Sequence, residues 1–248
     1  MSQLRVAVVY PDLLGTYGDG GNGEILAARA RWRGIETQLL QASSSDALPE
    51  AEIYCLGGGE DGPQVLAAER LIADGRLSAA VADGAVVLAV CAGFQIAGLC
   101  FPDAQGTSHE GLSLLGITTT KGRGPRAVGE LAADVLEASE GGLDLPRLTG
   151  FENHGGVTTL VDGTRPLARV ITGVGNGGPD RSEGAVAGRV IGTYLHGPVL
   201  ARNPAMADLL LALSLGVELE PLDDSREELL RVERLSRASG REGSVPRP

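Results

Sequence analysis

The chain has 248 residues, 43% of them hydrophobic, which is enough to bury a sizeable core. Acidic side chains outnumber basic ones 32 to 21 and leave a formal charge of −11, which argues against broad binding to nucleic acid or to anionic membranes. Three cysteines form neither an even disulfide framework nor a CxxC pair, and histidines at 109, 154 and 196 lack ligand spacing with them, so no metal site is expected.

Residues 4–10 are predicted as a first strand. With the chain running straight into it and no apolar run of membrane-spanning length, neither a signal peptide nor membrane insertion is expected. The reducing cytoplasm, where a free thiol stays usable, is the expected compartment. A glycine-rich loop, Leu13 to Gly23, and a helix to about Trp32 come next. The loop lacks the GK[ST] ending of a P-loop and the spacing of GxGxxG, so its mechanics favour Asp19 and Asn22 as caps of that helix over a nucleotide site. A second strand is predicted over 35–41, and a third, Ala51 to Leu56, runs into Gly57-Gly58-Gly59. Three glycines directly after a strand leave backbone N–H groups unobstructed, which suits an oxyanion donor as well as a loose turn. A helix over about 63–82 returns the chain to an apolar run, 85–90, that suits a strand buried on both faces of a parallel sheet.

That run ends on Cys91, followed by Ala92-Gly93 and a helix-like stretch. The layout is a nucleophile elbow: a side chain exposed at a sheet's carboxyl edge, with the next N–H groups and a helix dipole favouring a thiolate and a developing oxyanion. A buried structural cysteine is the competing interpretation. Beyond residue 100 short, turn-rich strands are predicted at Leu114–Thr120, Ala127–Leu131, Val157–Leu160, Ala168–Thr172 and Ala185–Ala187, antiparallel or mixed beside the parallel sheet. A last strand, 189–196, ends on His196, a second reactive residue type at a second strand end and a candidate base for the thiol. A helix is predicted over 203–215. Residues 1–221 are expected to form one domain of α/β type, a Rossmann/flavodoxin-like, mostly parallel sheet flanked by helices with added antiparallel strands. Residues 222–248 are expected to be a charged tail: a short helix docking on a partner, with disorder from 239.

Val90-Cys91-Ala92-Gly93-Phe94-Gln95, the Gly57–Gly59 loop before it and Thr193-Tyr194-Leu195-His196-Gly197 far downstream resemble the class I (triad-type) glutamine amidotransferases, in their cobyric-acid-synthase-like branch. Thr16-Tyr17-Gly18-Asp19 with Gly21-Asn22, and Gly150-Phe151-Glu152-Asn153-His154-Gly155-Gly156, are similar to the glutaminase subunits (GatD type) of lipid II isoglutaminyl synthase. The resemblance covers nearly the whole chain. It implies hydrolysis of L-glutamine and delivery of ammonia to a Mur-ligase-like (MurT type) synthetase subunit. That partner would use ATP and magnesium to amidate D-glutamate in the lipid II stem peptide, a step of peptidoglycan synthesis, while this chain itself needs no cofactor.

Carried over to this sequence, the resemblance makes Cys91 the nucleophile and His196 the general base and acid, with oxyanion N–H groups from Gly59 and Ala92. Gln95 would help shape the glutamine pocket. Arg126 would hold the α-carboxylate, as a bidentate guanidinium does well, with Arg123 the alternative three residues away. Two departures stand out. Ala89 occupies a position that is often glycine, and His196 is followed by Gly197-Pro198 where many class I enzymes carry His-x-Glu. An acid orienting His196 must then come from elsewhere, with Glu152 and Asp19 as candidates in this chain. His154 is expected to be structural or substrate-facing, and His109, in a polar loop, solvated. A stand-alone cysteine hydrolase and a non-catalytic regulatory module of a ligase partner are the alternative functions.

Overall fold

The computed structural model describes residues 3–136, 143–161 and 163–238. In chain order the first half comprises β1 (Leu4–Val9), α1 (Gly21–Trp32), β2 (Thr37–Ala42), β3 (Ile53–Leu56), α2 (Asp61–Asp74), α3 (Arg76–Ala82), β4 (Val86–Val90) and α4 (Ala92–Ile96). Then follow β5 (Cys100–Pro102), β6 (Ser108–Glu110), β7 (Ile117–Lys121), β8 (Ala127–Val135), β9 (Leu148–His154), β10 (Gly156–Leu160) and β11 (Ala168–Thr172). The chain closes with β12 (Ser182–Glu183), β13 (Ala185–Ala187), β14 (Val190–Thr193), α5 (Val199–Arg202), α6 (Pro204–Leu215) and α7 (Ser225–Ala238).

The apolar runs that end on Cys91 and just before His196 are neighbours in one six-stranded sheet of order β13-β14-β4-β3-β1-β2. All its pairings are parallel except β13 with β14. Every residue of β3, β4 and β14 is buried, as expected of parallel strands covered on both faces. Parallel pairing sends the chain out of β1, β3, β4 and β14 at one edge, which puts four loops side by side there. Two four-stranded sheets, β10-β7-β5-β6 and β12-β11-β8-β9, are the added strands.

Local differences from the sequence reading have plain causes. The helix expected over 63–82 is two helices, broken at Gly75 in the left-handed region (φ 69°) with its N–H on Leu71 O. The Gly150–Gly156 motif is largely a strand: β9 pairs with β8 along seven positions, and its Gly150 and Asn153 hid it from a propensity-based reading. The last parallel strand stops at Thr193, short of His196.

Arg29 on α1 is 2% exposed and binds Asp208 of α6 and Asp224, just before α7, through bidentate pairs of 2.7–2.8 Å. α7, in the tail, lies on the chain itself: Arg231 donates to Arg147 O (2.8 Å), while Leu229 and Leu230 are exposed. The disorder expected over 239–248 lies outside the described residues. Among the described residues no helix is long and apolar enough to cross a membrane.

Candidate active site

Cys91 sits between β4 and α4 at φ 52°, ψ −105°, a conformation rare for any residue with a side chain. Three backbone bonds hold it there: Cys91 N–H to Thr193 O (2.9 Å), Gln95 N–H to Cys91 O (3.0 Å) and Gly93 N–H to Gly57 O (3.0 Å). Gly93 is what lets α4 press on β3, because a Cβ there would lie 2.7 Å from Leu56 Cβ and 2.9 Å from Leu56 O. Ala89 is fully buried in β4, so its methyl group is accommodated below the elbow. The contrast with Cys55 is chemical, since full burial pushes that thiol up to about 12 and makes it inert.

His196 leaves β14 and is fixed by a two-bond bridge to Phe151 of β9: His196 N–H to Phe151 O (2.8 Å) and Phe151 N–H to His196 O (3.1 Å). Its Nδ1 donates to Asp19 Oδ2 at 2.9 Å, both side chains being buried. The same Asp19 oxygen accepts the Gly58 N–H at 2.9 Å, so one carboxylate ties the imidazole to the loop after β3. Nε2 is buried without a hydrogen-bond partner among the described residues and is left for the thiol. Burial alone would lower the ring's pKa; the Asp19 bond and the interaction with Cys91 outweigh it and raise the ring to about 10. Such a ring carries its proton at neutral pH, beside the thiol. Gly58 is crowded by the same residues, since a Cβ would lie 2.8 Å from His196 Cε1 and 2.9 Å from Tyr17 Cδ2.

Two expectations are corrected by this geometry. Asp19 and Asn22 do not cap α1 by their side chains: the cap is Gly20, and Asn22 Oδ1 instead accepts the Leu200 N–H (3.0 Å). Glu152 does not orient His196, because its carboxylate accepts the Val174 and Gly175 N–H groups (2.8 and 2.9 Å) and lies 3.5 Å from His154 Nε2.

The thiol opens into a cavity of about 300 Å³ whose wall includes Gly59, Ala92, Gln95, Arg126 and Asn153. Arg126 is steered by Asn153, donating from Nε to Oδ1 and from Nη2 to the backbone carbonyl, both at 3.2 Å. Arg123 is not part of this wall. Gln95 shapes the wall with its amide already engaged: Oε1 accepts from Gln64 (2.9 Å) and Nε2 donates to the Tyr194 hydroxyl (3.1 Å). His154 lines the cavity and stacks on Tyr194, ring centres 3.7 Å apart. His109 is half-buried rather than solvated: it pairs with Asp103 at 3.1 Å, and that bond holds the Asp103 carboxyl down at about 2.

Sequence reasoning gave no role to Tyr17, Asn153, Gln64 or Tyr194. The Tyr17 ring lies 4.7 Å from that of His196, and its hydroxyl accepts from Asn153 Nδ2 at 3.3 Å. Tyr17 and Asn153 stand in segments singled out by motif, which was the available signal. A roomier hollow, about 1000 Å³, lies where Arg5, Glu52, Ala85 and Arg189 begin or precede their strands, at the sheet edge opposite Cys91.

The chain is 32% identical over 241 residues to the GatD subunit of lipid II isoglutaminyl synthase (glutamine-hydrolyzing) of Staphylococcus aureus, covering 95% of each. It is 34% identical to the Streptococcus pneumoniae subunit of the same name, covering 86% of this chain and 81% of that protein. Among solved structures, a glutamine amidotransferase from Thermotoga maritima superposes with a TM-score of 0.53 at 17% identity, covering 96% of this chain and 99% of the other, a likeness of fold. Residues 5–204 match the CobB/CobQ-like glutamine amidotransferase domain, and the chain therefore belongs to that family.

Proposed function

We propose that this protein is the glutaminase subunit of a lipid II isoglutaminyl synthase and that Cys91 and His196 carry its chemistry. The observation that supports this most is the strained thiol at the base of an Arg126-flanked cavity, with the His196–Asp19 pair behind it. Arg126 takes the α-carboxylate of glutamine, and the side-chain amide carbon meets the Cys91 thiolate. Attack forms the carbon–sulfur bond and moves an electron pair onto the amide oxygen, which the N–H groups of Gly59 and Ala92 stabilise. His196 then gives its Nε2 proton to the amide nitrogen, the carbon–nitrogen bond breaks, and ammonia leaves behind a thioester. The now neutral imidazole takes a proton from water, the resulting hydroxide adds to the thioester, and glutamate is released with the thiolate restored. Asp19 holds the Nδ1–H tautomer through both halves of the cycle.

The names of the curated relatives support a synthetase partner. We infer that the partner is Mur-ligase-like, with ATP and magnesium bound there, because activating a carboxylate for amidation needs a phosphoryl donor. The same reading puts the protein at work in the cytoplasm, where a free thiol persists. The test is glutamate release from glutamine by the purified chain, alone and with the Mur-ligase-like subunit, beside Cys91→Ala. Cysteine-dependent release that the partner increases is the expected result. Turnover of a different amide without any partner points to a stand-alone hydrolase; binding without any release points to a regulatory module.

A further inference from the structure

Glu183, the last residue of β12, is fully buried and has no part in the steps above. Its carboxylate Oε1 accepts the Thr193 hydroxyl at 2.5 Å and the Tyr194 N–H at 2.9 Å. Each of those residues leads to the site. The Thr193 carbonyl receives the Cys91 N–H, and the Thr193 hydroxyl oxygen accepts the Leu195 N–H (3.0 Å), immediately before His196. The Tyr194 hydroxyl holds Gln95 and bonds to Thr158 at 2.7 Å, while its ring carries His154. Glu183 is itself clamped: buried Asn176 accepts the Gly184 N–H (2.9 Å) and donates to Ser182 Oγ (3.0 Å) and Gly184 O (2.9 Å).

We propose that Glu183 is a positioning residue, an anchor shared by Cys91, His196 and the Gln95 wall that sets them in register with one another. The position is a costly one for a carboxylate. Burial, with Glu152 adding to it, pushes the group up to about 7, and Oε2 has no hydrogen-bond partner among the described residues. Leucine would fill the same space without that penalty, so packing does not account for an acid there. What leucine lacks is an oxygen to receive Thr193 and Tyr194 together.

The kinetic arm of the test rests on the glutaminase reading; the chemical arm does not. Wild type, Glu183→Leu, Glu183→Gln and Thr193→Val are compared by thermal melting, by glutamine hydrolysis with the synthetase subunit present, and by the pH profile of iodoacetamide labelling at Cys91, followed on its own peptide. Glu183→Leu is expected to remain folded but to melt below wild type, because the buried Thr193 hydroxyl and Tyr194 N–H lose their acceptor, and to lose roughly tenfold or more in kcat, with the Cys91 labelling midpoint moved up by about one pH unit as the thiol parts from His196. Glu183→Gln, which keeps an accepting oxygen, stays within about threefold of wild type in kcat. Thr193→Val moves in the same direction as Glu183→Leu by a smaller amount and decides the matter if that variant does not fold. A folded Glu183→Leu or Thr193→Val with wild-type labelling and turnover overturns the proposal. Absence of cysteine-dependent glutamate release in wild type instead overturns the glutaminase reading and leaves the labelling arm to judge Glu183.

Discussion

The Asp19 carboxylate accepts from the base and from the glycine loop through one oxygen, so a substitution there tests both contacts together. Asp19→Asn keeps the shape but permits the wrong imidazole tautomer. A loss of about 10²-fold or more in glutaminase kcat, with little change in melting temperature, is expected. His196 also makes a prediction about pH. Its ring is raised from 6.5 to about 10 in the folded protein, so the stability it contributes is complete below pH 6.5 and is lost as pH rises through about 10. The melting temperature of wild type relative to His196→Gln should therefore fall between pH 6 and 10, and a constant difference across that range would contradict the raised ring. Cys91 and His196 were legible because each follows an apolar run with the composition of a buried strand. Asp19 was legible only as one of two candidate acids beside Glu152, because by itself an aspartate just before a helix reads as a cap; the adjacency of β1 to β3 in the sheet, with the β3 loop beside it, is what turns Asp19 toward His196.

At the scale of elements, the elbow depends on how closely α4 approaches β3. Gly93→Ala would drive a methyl group into the backbone of Leu56, where neither side can yield. A loss of several kcal/mol is expected in denaturant titrations, on the order of other overpacked cores, together with loss of activity. If Gly93→Ala were as stable as wild type, the close contact between α4 and β3 would be wrong. The parallel strands were legible from hydrophobic runs alone. β9 was not, since a strand with glycine and asparagine in it owes its place to seven partners on β8 rather than to its own propensity. The helix break at Gly75 had a signal in the sequence, a glycine inside a stretch of helical length, which the left-handed turn there now explains.

At the scale of the molecule, Arg29 joins the first helix to the last third of the chain. Replacing it with Met leaves the Asp208 and Asp224 carboxylates, about a quarter exposed, without their shared cation. Asp208 keeps its 2.7 Å pair with Arg33, so a destabilisation of about 1–3 kcal/mol is expected, with faster tryptic cutting in and around α7; unchanged cutting would show that the helix is held by other means. The apolar runs revealed the sheet, but a buried arginine spanning this much sequence has no local signature. The order of the strands also bears on the protein's synthesis. The thiol is carried by a strand from the first half of the chain, while the strand that brings its base comes late and inserts between β13 and β4. A nascent polypeptide thus exposes its cysteine long before anything can activate it, and glutamine is safe from each unfinished copy until the final parallel strand zips in.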